Sequence, residues 1–212
     1  MKIISLSSSI AGPACSVACS IKKHFYKEPN SYPTNMFDYL ELSLLSINQI
    51  LSTENIKDKL NSNFDIFLNK DDKYSVIFNN FDHLISHHDL IINYTDQDFN
   101  QFIEKYIRRY NRIINYLKTE DKIFFIRYGS EEEKNIIQFF NIIKEINPNL
   151  EIFFINIVYD PYDKIVEVFD KNYTLINFNN YIDKSKHYSD DLFYKIMEFD
   201  WSIIDKLIYI NN

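Results

Sequence analysis

The sequence predicts a three-layer α/β/α fold with a mainly parallel, Rossmann-like sheet. Short apolar runs of strand length, such as KIFFIRY at Lys122–Tyr128, are nearly continuous, as in strands that are covered on both faces. From residue 74 onward these runs alternate with helical patterns, which indicates parallel βαβ units with right-handed crossovers. The length of 212 residues suits a single domain over 1–212.

The N-terminal part of the chain predicts one strand, one helix and an insertion. Lys2–Leu6 is a short apolar run that ends in small residues, typical of a buried strand. Pro13 suits the first turn of a helix that continues to Phe25. Residues 27–72 are predicted as a partly irregular helical insertion, which contains one regular helix over Leu40–Leu51.

The C-terminal part predicts alternating strands and helices. Its clearest element is a helix over 96–118, because the apolar residues recur at helical spacing and form one stripe. Thr95 and Asp98 match a capping box at the start of this helix. The other predicted elements are the strands Tyr74–Phe78, Lys122–Tyr128, Leu150–Tyr159 and Thr174–Phe178 and the helices 131–146 and 190–205.

Charge and hydropathy exclude several classes of partner. The net charge of −7 argues against a nucleic-acid partner, because phosphate binding needs a basic surface. We expect no membrane partner and a cytoplasmic location, since the sequence has neither a long apolar run nor a secretory signal. Two cysteines four residues apart in one helix are poor partners for a structural disulfide, which favours a reducing compartment.

The two glycines of the chain, Gly12 and Gly129, exclude the common nucleotide motifs. The phosphate loop GxxxxGK[ST] and the dinucleotide fingerprint GxGxxG each need two closely spaced glycines. We therefore predict no cofactor.

Cys15 is the candidate nucleophile. In open α/β sheets, ligands bind beyond the carboxyl ends of the strands, and Cys15 lies in or just after the first strand–helix turn. A helix N-terminus lowers the pKa of a thiol and makes it reactive. The alternative is that Cys15 is a buried small hydrophobic residue, and Cys19, one turn later, is expected to pack in this way.

Three histidines are candidates for the general base. His83, His87 and His88 follow the predicted strand Tyr74–Phe78 and share the sheet edge with Cys15 if that strand is parallel to the first. The spacing of His83 and His87 also suits zinc, but HExxH is absent and no third ligand is evident, so no metal is predicted.

Arginines form a second group of candidates. Arg127 ends an apolar strand, so its charge needs a partner, and Arg109 and Arg112 lie on the polar side of the long helix. Arg127, joined by Arg109 or Arg112 beside a helix N-terminus, is expected to form a clamp for a carboxylate, phosphate or sulfate. The alternative for the two helical arginines is a solvated basic face paired with nearby acidic residues.

The segments ISLSSS, CSVACSIKK, FDYL, HHDL, RRYNRIINYL and KIFFIRY, in this order, resemble a family described as papain-like cysteine peptidases of bacteria and large DNA viruses. Members often lie beside glycosyltransferase or polysaccharide genes. The resemblance spans residues 3–160, and the matched positions are Cys15, Ala18, Ile21, Lys22, Phe37, Asp38, His88, Asp89, Arg109, Arg112 and Arg127. The sequence departs from the family pattern at Ser7, which replaces a glycine, at Tyr39, which replaces a tryptophan, and in a longer loop before Cys15.

The first functional hypothesis is therefore a cysteine hydrolase or acyltransferase. Cys15 is its nucleophile, His88 its base, and Asp38 or Asp89 orients the imidazole. A serine nucleophile at 7–9 stays open, although the Gly-Asp-Ser of small serine esterases is absent. The substrate is expected to be a small molecule, a peptide or a glycan.

Two other hypotheses stay open. The first is a glycan- or nucleotide-sugar-related transferase or auxiliary module, which binds an anionic group through the arginines. The second is a non-catalytic viral binding domain. Neither the substrate nor the oligomeric state follows from the sequence.

Overall fold

The computed structural model describes residues 1–8, 15–26, 28, 31–68, 73–91, 93–160, 162, 164, 166–181 and 199–211, without the side chains of Ser7, Ser8 and His88. A nine-stranded sheet runs through this part of the chain, and helices pack around it. The sheet is mainly parallel, which confirms the predicted α/β class.

The N-terminal half contains five strands and three helices. They are β1 (Lys2–Ser8), α1 (Ser16–Phe25), β2 (Leu40–Leu42), α2 (Leu44–Leu51), α3 (Ile56–Asn61), β3 (Phe64–Leu68), β4 (Lys73–Phe78) and β5 (Leu84–Ile91). The predicted insertion thus holds two strands as well as helices. The helix predicted from Leu40 begins at Leu44, because Ser43 caps it by accepting a 3.0 Å hydrogen bond from the Ser46 N–H.

The C-terminal half begins with the long helix. Its elements are α4 (Asp96–Thr119), β6 (Lys122–Tyr128), α5 (Glu133–Ile146), β7 (Glu151–Val158), β8 (Val168–Phe169), β9 (Tyr173–Asn177), a 3₁₀ turn at Phe178–Tyr181 and α6 (Ser202–Ile210). The predicted capping box of α4 is present, since Thr95 and Asp98 exchange side chain–backbone hydrogen bonds. Most of the helix predicted over 190–205 lies outside the described residues.

The strand order is β3-β4-β5-β2-β1-β6-β7-β9-β8. The strands from β2 to β9 in this order are parallel, whereas β3, β4 and β5 pair antiparallel with their neighbours, as does β8. The alternation expected from residue 74 is wrong for this block, because β4 returns directly as β5 in a hairpin. The sequence conceals β5 because Ser86 occupies a fully buried position of the strand.

The helices cover two faces of the sheet. Helices α2, α3, α4 and α5 pack with one hydrophobic core, on what we call the first face. Helices α1 and α6 pack with a separate core on the second face. Among the described residues, no helix is both long and apolar enough to cross a membrane.

The segment 31–39 passes from one face to the other beside β1. Tyr32 packs in the second-face core, whereas Met36 and Phe37 pack in the first-face core. The Asn35 side-chain amide donates a 3.2 Å hydrogen bond to the Ser5 carbonyl of β1. This crossing brings residues from α1 and α4, which lie on opposite faces, toward the same loop.

Candidate active site

Cys15 is the N-cap residue of α1, in the connection that follows the carboxyl end of β1. Its backbone is already close to helical, with φ −98° and ψ −5°, and its carbonyl accepts a 2.9 Å hydrogen bond from the Cys19 N–H. The first helical turn therefore fixes the two cysteines one above the other. Both are free thiols and both are partly exposed.

The two thiols share a hydrogen bond, which shifts their pKa values in opposite directions. The hydrogen bond from Cys19 lowers the pKa of Cys15 to about 7, and a backbone hydrogen bond adds to this effect, although burial opposes it. The hydrogen bond to Cys15, burial and the negative charge of Cys15 together raise the pKa of Cys19, whereas Lys22 lowers it. Cys15 is therefore the more acidic thiol of the pair, and Cys19 donates the hydrogen bond between them.

Asp38 is completely buried in the crossing segment. Its carboxylate accepts hydrogen bonds from the Tyr32 hydroxyl at 2.6 Å, from the Asn35 backbone at 2.7 Å and from the Asn35 side-chain amide at 2.6 Å. Burial raises the pKa of Asp38 to about 7, even though these hydrogen bonds and the charge of Arg109 lower it. The contacts that the structure describes therefore give Asp38 the role of holding the loop, and they include no imidazole.

Arg109 reaches the same region from α4. Its guanidinium carbon lies 5.4 Å from the centre of the Tyr39 ring and 5.7 Å from the centre of the Tyr106 ring, within cation–π range. Its Nη1 atom is buried and has no hydrogen-bond partner among the described residues. A buried donor of this kind is suited to a ligand acceptor.

Tyr39 connects the thiols with Arg109. Burial raises the pKa of Tyr39, the negative charges of Asp38, Cys19 and Cys15 raise it further, and the positive charge of Arg109 lowers it. The structure thus brings three predicted site residues into one electrostatically coupled group, which we call the thiol–arginine cluster: Cys15, Cys19, Asp38, Tyr39 and Arg109.

Two histidines lie beside this region and share one carboxylate. The Nε2 atoms of His83 and His87 lie 2.8 Å and 2.7 Å from the two carboxylate oxygens of Glu41. Burial raises the pKa of Glu41, but the hydrogen bonds and charges of the two histidines outweigh this effect and lower it overall. The other ring nitrogen of His87 lies 3.2 Å from the Ser75 hydroxyl.

The position of Glu41 places these histidines on the second face. Glu41 pairs with Ser8 at the end of β1, and its neighbours Leu40 and Leu42 belong to the first-face core. Because side chains alternate along a strand, Glu41 points to the face that α1 covers. The sequence analysis did not identify Glu41 as a site residue. The alternation Leu40–Glu41–Leu42 is the pattern that could have indicated a strand with Glu41 on the opposite face.

His88 lies in β5, but its side chain lies outside the described part of the structure. Its role as general base stays a prediction. His87, with one ring nitrogen held by Glu41, is the histidine whose contacts are described.

The described contacts of Asp89 are with Ser86 and with α4, so its predicted role of orienting the base stays a prediction. Asp89 binds Lys105 and the Tyr106 hydroxyl of α4 and accepts a 2.8 Å hydrogen bond from Ser86, all on the first face. Burial raises its pKa, but Lys105 and the hydrogen bonds lower it overall. A groove of about 920 Å³, also lined by Arg108, opens here between β5 and α4.

Arg127 is a structural residue rather than an anion ligand. Its side chain is fully buried, and all three of its nitrogens donate within the protein: Nε to Glu131, Nη1 to the Leu6 carbonyl at 2.7 Å and Nη2 to the Leu42 carbonyl at 2.8 Å. It therefore joins the carboxyl ends of β1, β2 and β6. The charge partner that the sequence predicts for Arg127 is thus Glu131, a residue of the protein, and not a bound anion.

Arg112 also binds the protein. Its Nη1 atom donates to the carbonyl of Thr34, and the Thr34 hydroxyl lies 3.4 Å away. Of the three predicted anion ligands, Arg109 is thus the one with an unused buried donor in the described structure. Within the same residues, no three His, Cys, Asp or Glu side chains are arranged to hold a metal ion.

No family model, curated protein or solved structure matches the chain. The site is therefore interpreted from its own geometry.

Proposed function

We propose that the protein is a thiol-dependent hydrolase or acyltransferase with Cys15 as the nucleophile. The observation that carries this proposal is the position of the Cys15 thiol, which is partly exposed at the N-terminus of α1, beyond the carboxyl end of β1. The hydrogen bond from Cys19 lowers the pKa of this thiol to about 7. A lowered pKa increases the thiolate fraction at neutral pH, and the thiolate is the reactive form.

In the proposed reaction, the Cys15 thiolate attacks the carbonyl carbon of an ester, thioester or amide. The bond to the leaving group breaks, the leaving group takes a proton from an imidazolium, and the acyl group stays on Cys15 as a thioester. Water or another acceptor then attacks the thioester, loses its proton to the imidazole and releases Cys15. The backbone N–H groups of the first turn of α1 would stabilise the oxyanion.

His88 supplies the imidazole in this proposal, as the sequence predicts. His87 is the second candidate, because Glu41 binds its Nε2 atom and so restricts the ring. Its Nδ1 atom, 3.2 Å from the Ser75 hydroxyl, would have to leave that contact to exchange a proton with the leaving group. His87 also lies on the face of the sheet that α1 covers. Substituting each histidine in turn shows which of the two acts as the base.

The test is acylation by p-nitrophenyl acetate, with stopped-flow detection of the phenolate and peptide mapping of the acetylated residue. We expect a burst of about one phenolate per chain, acetyl on Cys15, and loss of both in Cys15→Ala. His88→Ala should slow the turnover that follows the burst, whereas His24→Ala, a substitution at the other end of α1, should not. No burst, or acetyl spread over surface lysines, would contradict the proposal and favour a non-catalytic binding domain.

A second candidate function rests on the buried Nη1 donor of Arg109. A binding module for an anionic group, such as the phosphate or carboxylate of a sugar derivative, would use this donor between the rings of Tyr39 and Tyr106. The test is binding of inorganic phosphate and of glucuronate by calorimetry. Arg109→Gln should abolish the heat and Arg108→Gln, on the exposed side of α4, should leave it; equal loss in both variants would indicate non-specific screening.

A further inference from the structure

The proposed function leaves Cys19 without a chemical role of its own. Cys19 lies one helical turn after Cys15, joined to it by the 2.9 Å backbone hydrogen bond and by the hydrogen bond between the two thiols. Four residues at a rise of about 1.5 Å each place their Cα atoms about 6 Å apart along the helix. Bridged cysteines have Cα separations of about 4.4–6.8 Å, which this spacing meets, and Cβ separations of about 3.5–4.5 Å, whereas the Cβ atoms of residues four apart on a regular helix lie about 5–6 Å apart. Closing the bond therefore requires the first turn of α1 to loosen, which is possible because Cys15 is the N-cap residue and helix ends fray.

We propose that Cys15 and Cys19 form a peroxide-sensitive dithiol that closes reversibly to a disulfide within the first turn of α1. Cys15 is the residue that peroxide attacks, and Cys19 is the resolving residue. The co-reactant is hydrogen peroxide or an organic hydroperoxide, and the product is an oxidised form in which Cys15 is protected but not nucleophilic.

The chemistry proceeds in two balanced steps. The Cys15 thiolate attacks one peroxide oxygen, the O–O bond breaks, and the other oxygen leaves as water or an alcohol after taking a proton, so that Cys15 becomes a sulfenic acid. The Cys19 sulfur then attacks the Cys15 sulfur, the S–OH bond breaks, and hydroxide leaves as water with the Cys19 proton. In total, two thiols are oxidised by two electrons and one peroxide is reduced.

The electrostatics of the pair favour this order of events. Before oxidation, the hydrogen bond to Cys15 and the negative charge of Cys15 hold the proton on Cys19. Sulfenic acid formation removes that charge, so the pKa of Cys19 falls and the positive charge of Lys22 favours its thiolate. Oxidation of the first sulfur thereby activates the second.

The closed form is expected to open easily. A bridge across a single turn restricts only a very short loop of the unfolded chain, so it adds little stability. Exposed or strained bridges of this kind are reduced readily by a dithiol. This agrees with the sequence-based expectation that the pair is a poor structural disulfide, and it makes the bridge a reversible modification.

The test is treatment of the reduced protein with hydrogen peroxide, followed by thiol titration and non-reducing peptide mapping. We expect the wild type to lose both of its free thiols, to carry a Cys15–Cys19 bond within one chain, and to regain both thiols with dithiothreitol. In Cys19→Ser, Cys15 should proceed to sulfinic and sulfonic acid, which dithiothreitol does not reverse. Cys19→Ala is the second variant, and circular dichroism shows which of the two retains the fold.

Two results would overturn the inference. One is irreversible oxidation of Cys15 in the wild type as fast as in the Cys19 variants, and the other is a bond between chains instead of within one. The inference shares the Cys15 thiolate with the proposed function but needs no acyl substrate. A bridge without acetylation would remove the proposed function alone, and acetylation without a bridge would remove this inference alone.

Discussion

At the scale of single residues, the interior of this protein holds charges that the fold uses to join its parts. Arg127 is fully buried, binds the carbonyls at the ends of β1 and β2 and pairs with Glu131, whose side chain is only 5% exposed. A buried ion pair adds little net stability by itself, but removing one partner leaves the other charge buried and unpaired.

We therefore predict that Arg127→Leu lowers the free energy of unfolding by about 3–5 kcal/mol. The measurement is urea denaturation, and the control is Arg108→Leu on the exposed side of α4, which should change the value by less than about 0.5 kcal/mol. The double variant Arg127→Leu/Glu131→Leu should recover part of the loss. A single variant as stable as the control would show that the pair is not needed.

Asp38 leads to a prediction about pH. Its folded pKa is raised to about 7, whereas an unfolded Asp titrates near 3.9. Between these values the folded chain holds a proton that the unfolded chain releases, so stability falls as pH rises through this window.

The measurement is the difference in unfolding free energy between the wild type and Asp38→Asn. It is taken from about pH 4, near the unfolded pKa of Asp, to about pH 7, near the folded pKa of Asp38. We expect this difference to move against the wild type by roughly 1 kcal/mol per pH unit. A difference that moves in favour of the wild type would mean that Tyr32, Asn35 and Arg109 keep Asp38 charged, with a lowered pKa.

At the scale of elements, α4 contacts both the antiparallel strands β3–β5 and the thiol–arginine cluster. Its first turn is closed by the capping box of Thr95 and Asp98. Lys105 and Tyr106 bind Asp89 of β5, and Arg109, one turn after Lys105, belongs to the thiol–arginine cluster. The position of Arg109 therefore depends on how α4 is anchored.

We predict that Thr95→Ala lowers the free energy of unfolding by about 1 kcal/mol, because the Asp98 N–H loses its acceptor. Thermal or urea unfolding measures the change. Thr119→Ala, at the other end of α4, is the matched control and should shift stability by less than about 0.5 kcal/mol. Equal effects in the two variants would exclude capping as the cause.

At the scale of the whole molecule, helices and strands with an unbroken hydrophobic pattern were predictable from the sequence. Contacts that depend on loops between distant segments were not. The strand β6 and the helix α4 match their predictions within one residue, because a strand buried on both faces and an amphipathic helix each leave an unbroken signal. The strand β5 was missed, since Ser86 and Asp89 are polar side chains in contact with α4. Local pattern does not reveal a polar network that only the tertiary structure completes.

In the candidate site, too, local features were predictable and tertiary contacts were not. Cys15 was predictable from its place after the first strand. The position of Tyr39 between the thiols and Arg109 was not, because it depends on the segment 31–39, which crosses between the faces beside β1. The pairing of His83 and His87 through Glu41 likewise arises from the short strand β2, which the sequence predicted as helix.

The reactivity of the Cys15 thiol is measured by its rate of alkylation by iodoacetamide as a function of pH, with Cys19 followed in the same peptide map. We expect a midpoint near pH 7 for Cys15 and negligible alkylation of Cys19 over the same pH range. A midpoint near 8.5, the value of a free thiol, with equal rates for the two cysteines would contradict this expectation.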